Sequence, residues 1–129
     1  MVCLDSDILI DYLKEKDYAI KKIKGFHEDN KVILTTSVNS FELFKGAIKS
    51  GNAKTIEPLN ALLSNIKILN FDLNSSRKAA EIFEDLKSKG KILDMADVMI
   101  ASIVITNNET LITNNIGHFK RIPKLKLED

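Results

Sequence analysis

An α/β fold is what the sequence predicts, with a central parallel sheet of four to five strands and helices on both faces. Three observations carry this. Short apolar runs recur along the chain, and each is separated from the next by a segment of helical periodicity. Such alternation argues for a parallel sheet covered on both sides. No internal repeat, low-complexity tract or linker interrupts the 129 residues, so residues 1–129 are expected to form a single domain.

Val2 to Leu4 reads as a short buried strand opening the fold. Ile8 to Leu13 has a helical pattern, with Asp5, Ser6 or Asp7 available as its N-cap. The charged segment from Lys14 to Lys24 is expected to continue that helix to an end near Gly25. Val32 to Leu34 is the second strand. Thr36 or Ser37 can cap the next helix, with Phe41, Phe44 and Ile48 as its apolar stripe. Gly51-Asn52 breaks it, and a helix from Ala53 to Ser64 follows, with Ile56, Leu59, Leu62 and Leu63 inward. Ile66 to Leu69 is the third strand. Asn74 or Ser75 starts a helix through Ala79, Ile82, Phe83 and Leu86, which Gly90 stops. Asp94 opens a helix reaching Ile105. Leu111-Ile112 is the fourth strand and Leu125 to Leu127 the fifth, with a loop between them.

The composition, 44% hydrophobic and 29% charged, is that of an ordinary soluble globular domain. A formal charge of +1 shows no global basic excess, so any anionic partner must be met by local patches. Lysines cluster between Lys14 and Lys24 and again from Lys120 to Lys126. The single cysteine, Cys3, excludes an internal disulfide and offers no zinc pattern; it reads as a small core residue. No apolar run approaches the roughly 18 residues of a membrane span. Asp5 and Asp7 interrupt the first apolar segment, which argues against a signal peptide. A cytoplasmic protein without membrane association is expected.

The candidate chemistry lies where carboxylates meet apolar segments. Burying a carboxylate costs several kcal/mol unless it is paired or metal-bound. In open parallel sheets, ligands bind beyond the carboxyl ends of the strands. Asp5 directly follows the first strand, Thr113 and Asn115 follow the fourth, and Glu42 lies about one helical turn after the second. Chain order alone thus aims three motifs at one edge, as an acidic cleft for a hard cation would require.

Asp97 is the strongest single signal, because the segment from Met95 to Ile105 is otherwise uncharged. Asp94 reads first as a cap and second as an acidic contributor. Capping explains one carboxylate near the first helix but not both Asp5 and Asp7, so Asp5 is assigned to the site and Asp7 to peripheral support. Glu42 beside Lys45 would alone read as a solvated ion pair, and it gains weight from its company. Ser6, Thr113 and Asn115 offer neutral oxygens that can orient water or a carboxylate, although loop capping explains each by itself. His27 and His118 read as surface histidines.

Four stretches then form a pattern. They are Leu4-Asp5-Ser6-Asp7-Ile8-Leu9-Ile10, Ser37 to Leu43 ending in Phe-Glu-Leu, Asp97-Val98-Met99-Ile100-Ala101, and Leu111-Ile112-Thr113-Asn114-Asn115 with His118-Phe119. In this order, across nearly the whole chain, they resemble the PIN-domain family, and within it the small VapC-type toxin ribonucleases. The resemblance implies a PIN-like α/β/α sandwich. It matches Asp5, Glu42 and Asp97 to the family's three core acidic residues. Asn115 falls at a fourth position that is often aspartate, and His118 where an aspartate before the phenylalanine is frequent. Asn39 stands near a position often filled by threonine. The departures at Asn115 and His118 lower the negative charge of the site.

The resemblance further implies RNA as substrate, a cognate antitoxin and a homodimer. Asp5 and Asp97, with Glu42 as a further ligand, would hold Mg²⁺; Mn²⁺ suits the same oxygen ligands. Ser6, Asp7, Asp94, Thr113 and Asn115 would support the site, and Lys14, Lys21 and Lys45 would contact RNA phosphates. The helices Phe41 to Ile48 and Ile56 to Leu63 could share faces between the core and a dimer or antitoxin groove. Three other readings compete. Asp5 and Asp7, as Asp-x-Asp after a strand, resemble the opening of a haloacid-dehalogenase-like phosphatase, although a later lysine motif is missing. A receiver-like phosphoacceptor would need Asp72 and Lys126 at strand ends where they fit poorly. A PIN-like scaffold that binds RNA or protein without cleaving it is the non-enzymatic alternative.

Overall fold

Five parallel strands form one sheet: β1 (Val2–Leu4), β2 (Ile33–Thr36), β3 (Lys67–Leu69), β4 (Thr110–Ile112) and β5 (Lys126–Glu128). Their order is β3-β2-β1-β4-β5. The computed structural model describes residues 1–129, apart from the side chain of Ala53. Side chains alternate across the sheet, as strand geometry requires. Cys3, Leu34 and Leu111 point to one face, where they meet Ala79, Ile82 and Leu86 of α5 (Leu73–Ser88), Val98, Ile100, Ala101 and Val104 of α6 (Met95–Thr106), and Phe119 of α7 (Ile116–Phe119). Val2, Leu4 and Ile112 point to the other. There they meet α1 (Ser6–Leu13), α2 (Asp17–Glu28), α3 (Ser37–Ser50) and α4 (Ala53–Ser64) through Ile8, Leu9, Ile23, Leu43 and Leu59. The result is the three-layer α/β/α sandwich expected from the alternation of elements. Cys3 is fully buried, and burial pushes its thiol up to about 12, so it is a packing residue with no thiolate chemistry near neutral pH.

The strand order reverses direction at β1, with β2 and β3 on one side and β4 and β5 on the other. The crevice at the carboxyl ends of β1 and β4 is therefore the topological switch point where such sheets take ligands. The two ends are stitched together: the Asp5 N–H donates to the Ile112 carbonyl at 2.9 Å.

The structure corrects four details of the sequence reading. The first helix does not run on to Gly25. It ends at Leu13, and Glu15 takes a left-handed φ of 59° before α2 begins at Asp17. A straight helix from Ile8 to Lys24 would be about 26 Å long, about twice the length of these strands. The turn instead folds Ala19 and Ile23 back into the core. Gly25 simply lies inside α2.

On α3 the expected stripe is out of phase. Phe41 is 63% exposed and Ile48 68%, while Asn39 and Leu43 face inward with Phe44 partly buried beside them. The buried polar Asn39 hides the true face from any hydrophobic count. In α5, Asp72 rather than Asn74 or Ser75 is the cap. It accepts from the Ser75 N–H at 2.9 Å while the Ser75 hydroxyl reaches back to the Asp72 N–H, and Phe83 stays at the surface. Finally, His118 and Phe119 lie on the short helix α7, where a loop was expected, because Phe119 turns inward to a fully buried seat.

Candidate active site

Asp5 leaves β1 and caps α1, and its carboxylate is the hub of the switch-point crevice. One oxygen, Oδ1, accepts the Ser6 N–H at 2.9 Å and the Asn39 side-chain amide at 3.0 Å. The other, Oδ2, accepts the Thr113 hydroxyl at 2.7 Å. Helix capping accounts for the first of these bonds alone. The others bring donors from α3 and from the end of β4, which a surface cap has no need of. Burial, above all, raises the Asp5 carboxyl above its ordinary value; the three hydrogen bonds pull it back, and the Asp97 charge adds to the rise.

Glu42 reaches the same place from the first turns of α3. Its Oε1 accepts the Ser6 hydroxyl at 2.8 Å. The solvated pair with Lys45 is not made: the Lys45 ammonium instead stands 5.6 Å from the Phe41 ring centroid. Burial raises the Glu42 carboxyl, the Ser6 bond lowers it, and the charges of Asp5, Asp97 and Asp94 raise it further. Asp97 sits half-buried in the first turn of α6, where the helix dipole favours an anion. Burial raises it as well, while His118, with Nδ1 3.5 Å from Oδ2, pulls it down.

These three carboxylates line one cavity of about 430 Å³. Ser6, Asp7 and Asn115 line it too. Thr113 lies behind Asp5, fully buried. Asp7 accepts the Asn114 N–H at 2.9 Å, which ties α1 to the segment after β4. Asp94 stays outside the cavity as the exposed cap of α6, with its oxygen 3.4 Å from the Ala96 N–H. Lys14, Lys21 and Lys45 are exposed and do not line the cavity.

Three participants escaped the sequence reading. Asn39 was legible only as a departure from a family position, yet its amide touches both Asp5 and Ser6. Asn114 lines the cavity and hydrogen-bonds the Tyr18 hydroxyl at 2.7 Å. His118 is half-exposed, as a surface histidine should be, but it has Asp97 as partner. A larger cleft of about 570 Å³ lies elsewhere, against α1, α2 and α4. It is mostly apolar and holds a single carboxylate, Glu15, so the acid chemistry belongs to the smaller site.

The donor set fits a hard dication. All the candidate ligands are oxygens, their pKa values are raised, and opposing carboxylates gain by sharing a cation. Among the described residues no three histidine, cysteine, aspartate or glutamate side chains stand together so that they could hold a metal ion by themselves. Mg²⁺ does not need three, since it keeps several waters and takes one or two carboxylates.

Residues 2–125 match the PIN domain. The chain belongs to the PIN-domain family. Similar sequences include ribonuclease VapC2 of Rickettsia felis, 38% identical over 101 residues that cover 78% of this chain and 75% of that one. The tRNA(fMet)-specific endonuclease VapC of Salmonella typhimurium is 27% identical over 127 residues, covering 98% of this chain and 95% of that one. Among solved structures, VapBC2 from Rickettsia felis bound to a promoter DNA fragment superposes with a TM-score of 0.91 at 33% identity, covering 99% of this chain and 98% of that one. VapBC-1 from nontypeable Haemophilus influenzae gives 0.87 at 26% identity, covering 100% and 98%. The parallel five-stranded sandwich is thus that of a PIN domain over almost its whole length. Family membership also removes the phosphatase reading of Asp5 and Asp7 and the receiver reading that needed Asp72 and Lys126.

Proposed function

We propose that this PIN domain is a Mg²⁺- or Mn²⁺-dependent endoribonuclease that hydrolyses RNA phosphodiester bonds, and that it is the toxin of a toxin–antitoxin pair. The observation that carries the chemistry is the meeting of Asp5, Glu42 and Asp97, from three separate elements, at one cavity over the switch point. The similarity to proteins named as VapC ribonucleases supports RNA as the substrate, and the similarity to VapBC complexes supports an antitoxin partner. Residues 1–129 act here as one unit.

Asp5 and Asp97 would hold the cation, with Glu42 as a further ligand. When bound, the cation supplies charge stabilisation at the phosphodiester and makes water easier to deprotonate. The chain's own groups divide the remaining work. Asp5 is held by three donors and serves as a fixed anchor. Glu42 is held by one, Ser6, on Oε1, which leaves its other oxygen open to take a proton from water. Thr113 braces Asp5, Asp7 ties α1 to the segment after β4, Asn115 adds a neutral oxygen at the wall, and Asp94 adds negative charge at the margin. Lys14, Lys21 and Lys45 supply phosphate contacts that position the strand.

The negative cleft also suits an arginine or lysine presented by an antitoxin, which would compete with metal and RNA. The exposed Phe41 and Ile48 of α3 offer apolar surface to a second copy of the chain. No helix among the described residues is long and apolar enough to cross a membrane, and a cytoplasmic location, where RNA and an antitoxin would both be at hand, is part of this proposal.

Cleavage of defined RNAs with and without Mg²⁺ or Mn²⁺, by wild type and Asp97→Asn, tests the enzymatic half. Metal-dependent cleavage lost in the variant is expected. RNA binding without cleavage by either protein would instead support the scaffold reading, which the neutral Asn115 and the His118–Asp97 contact favour. Growth arrest on expression, rescued by co-expressing the adjacent small gene product and absent in Asp97→Asn, tests the toxin half. Harmless expression of an active nuclease would leave a housekeeping RNA-processing enzyme.

A further inference from the structure

Asn39 is wholly buried on the core-facing phase of α3, one turn before Leu43. Burying a side-chain amide is costly unless its hydrogen bonds are all made. Here they are. Thr36 donates its hydroxyl to Asn39 Oδ1 at 2.7 Å. Asn39 Nδ2 lies 3.0 Å from Asp5 Oδ1 and 2.8 Å from Ser6 Oγ. The orientation of the amide follows from its partners, because an ionised carboxylate can only accept. Nitrogen must face Asp5, and oxygen must face Thr36. With one amide hydrogen on Asp5, the other goes to Ser6. Ser6 Oγ then accepts from Asn39 and turns its own hydrogen to Glu42 Oε1 at 2.8 Å.

The cap of α3 does not explain this residue. Thr36 performs that task by accepting the Asn39 backbone N–H at 3.1 Å, which any residue but proline would provide. We propose that Asn39 is a positioning residue whose two amide hydrogens lock Asp5 directly, and Glu42 through Ser6, into one fixed arrangement. The inference rests on the ribonuclease reading and adds a device to it. Two donors on one planar group are the point. A threonine hydroxyl has a single hydrogen and can serve Asp5 or Ser6 but not both. An aspartate has none at neutral pH and would set a like charge against Asp5. A fully satisfied buried network of this kind makes the groups it holds rigid. Partners that orient ligands typically matter about 10–100-fold in metal affinity or activity.

The test compares wild type with Asn39→Thr, Asn39→Leu, Ser6→Ala and the double variant Asn39→Leu/Ser6→Ala. Circular dichroism and metal-free thermal unfolding establish which are folded. Mn²⁺ affinity is read by electron paramagnetic resonance, and kcat and KM on single-stranded RNA at saturating Mn²⁺. Both Asn39 variants are expected to bind Mn²⁺ about tenfold more weakly and to lose about tenfold or more in kcat, with a smaller change in KM. Ser6→Ala should lower kcat in the wild-type background and add little on top of Asn39→Leu, because both act on Glu42 through one relay. A folded Asn39→Thr whose Mn²⁺ affinity and kcat both stay within about twofold of wild type overturns the inference, as does a Ser6→Ala effect that multiplies in full. If Asn39→Leu does not fold, Asn39→Thr, alone and with Ser6→Ala, decides. A wild type that cleaves no RNA overturns the ribonuclease reading, and the Mn²⁺ affinities then still decide the role of Asn39.

Discussion

The Thr113 hydroxyl donates to the Asp5 carboxylate at 2.7 Å across a sequence separation of 108 residues. This bond joins the end of β4 to the end of β1, the two strands that flank the switch point. It also stabilises a carboxylate that is only 7% exposed. Thr113→Val keeps the shape and removes the donor. It should destabilise the protein by about 1–3 kcal/mol and lower cleavage more than it lowers the folded fraction. Denaturant unfolding and single-turnover cleavage, run side by side, check both. Unchanged stability would mean that Asp5 recovers a donor from solvent.

Asp97→Asn and Asp5→Asn should each abolish metal-dependent cleavage, but Asp97→Asn is the cleaner probe. Its side chain has one ion-pair contact among the described residues, with His118 Nδ1 3.5 Å from Oδ2, and a pair that long with a half-exposed histidine contributes little. Burial holds the folded-state pKa of Asp97 above the unfolded value of about 3.9. Ionising it therefore costs the folded state, and the cost is present above the raised pKa. Asp97→Asn removes it, so without metal the variant should be at least as stable as wild type at neutral pH. The gain should shrink as pH falls through the raised pKa and vanish once Asp97 is protonated in both states. Melting curves between pH 3 and 8 would show this, as wild type converges on the variant toward the acid end. A variant that melts well below wild type at pH 7 would make Asp97 a structural residue.

The parts of this site that were legible in the sequence are those where local chemistry conflicts with its surroundings. Asp97 shows because it is the only charge in a helix buried on nearly every side. Asp5 shows because it ends a fully buried strand. The strands show because apolar runs that short suit a covered parallel sheet. The hidden parts depend on three-dimensional proximity. Asn39 reads as a break in an apolar stripe until Asp5, Ser6 and Thr36 surround it. The break at Glu15 has no glycine to announce its left-handed backbone. His118 meets Asp97 only because α7 packs Phe119 into the core beneath it.

Asn115→Ala should be milder than Asp97→Asn. The Asn115 backbone N–H bonds the Thr113 hydroxyl oxygen at 3.0 Å, and alanine keeps it. Its side chain makes no capping bond and lines the cavity as a neutral oxygen, which binds a cation less strongly than a carboxylate does. A partial loss of cleavage with unchanged melting temperature is expected. Equal loss in the two variants would raise Asn115 to a required ligand.

The lysines should act on binding and leave the chemistry alone. Lys14, Lys21 and Lys45 are exposed, none lines the acidic cavity, and Lys45 leaves Glu42 to Ser6. Replacing them cannot move the carboxylates by any interaction present here. If they touch RNA phosphates, each substitution to alanine should weaken RNA binding across sequences and reduce the salt dependence. On single strands the slope of log K against log salt should fall by about 0.7 for each phosphate that is no longer neutralised. The cleavage rate at saturating RNA and the Mn²⁺ affinity should stay at wild-type values. Binding measured by fluorescence anisotropy over a salt series, with a catalytically silent Asp97→Asn background to prevent turnover, separates the alternatives. A slope that does not change on triple substitution would identify these lysines as a solvated helix surface and move the RNA path to the Lys120–Lys126 patch.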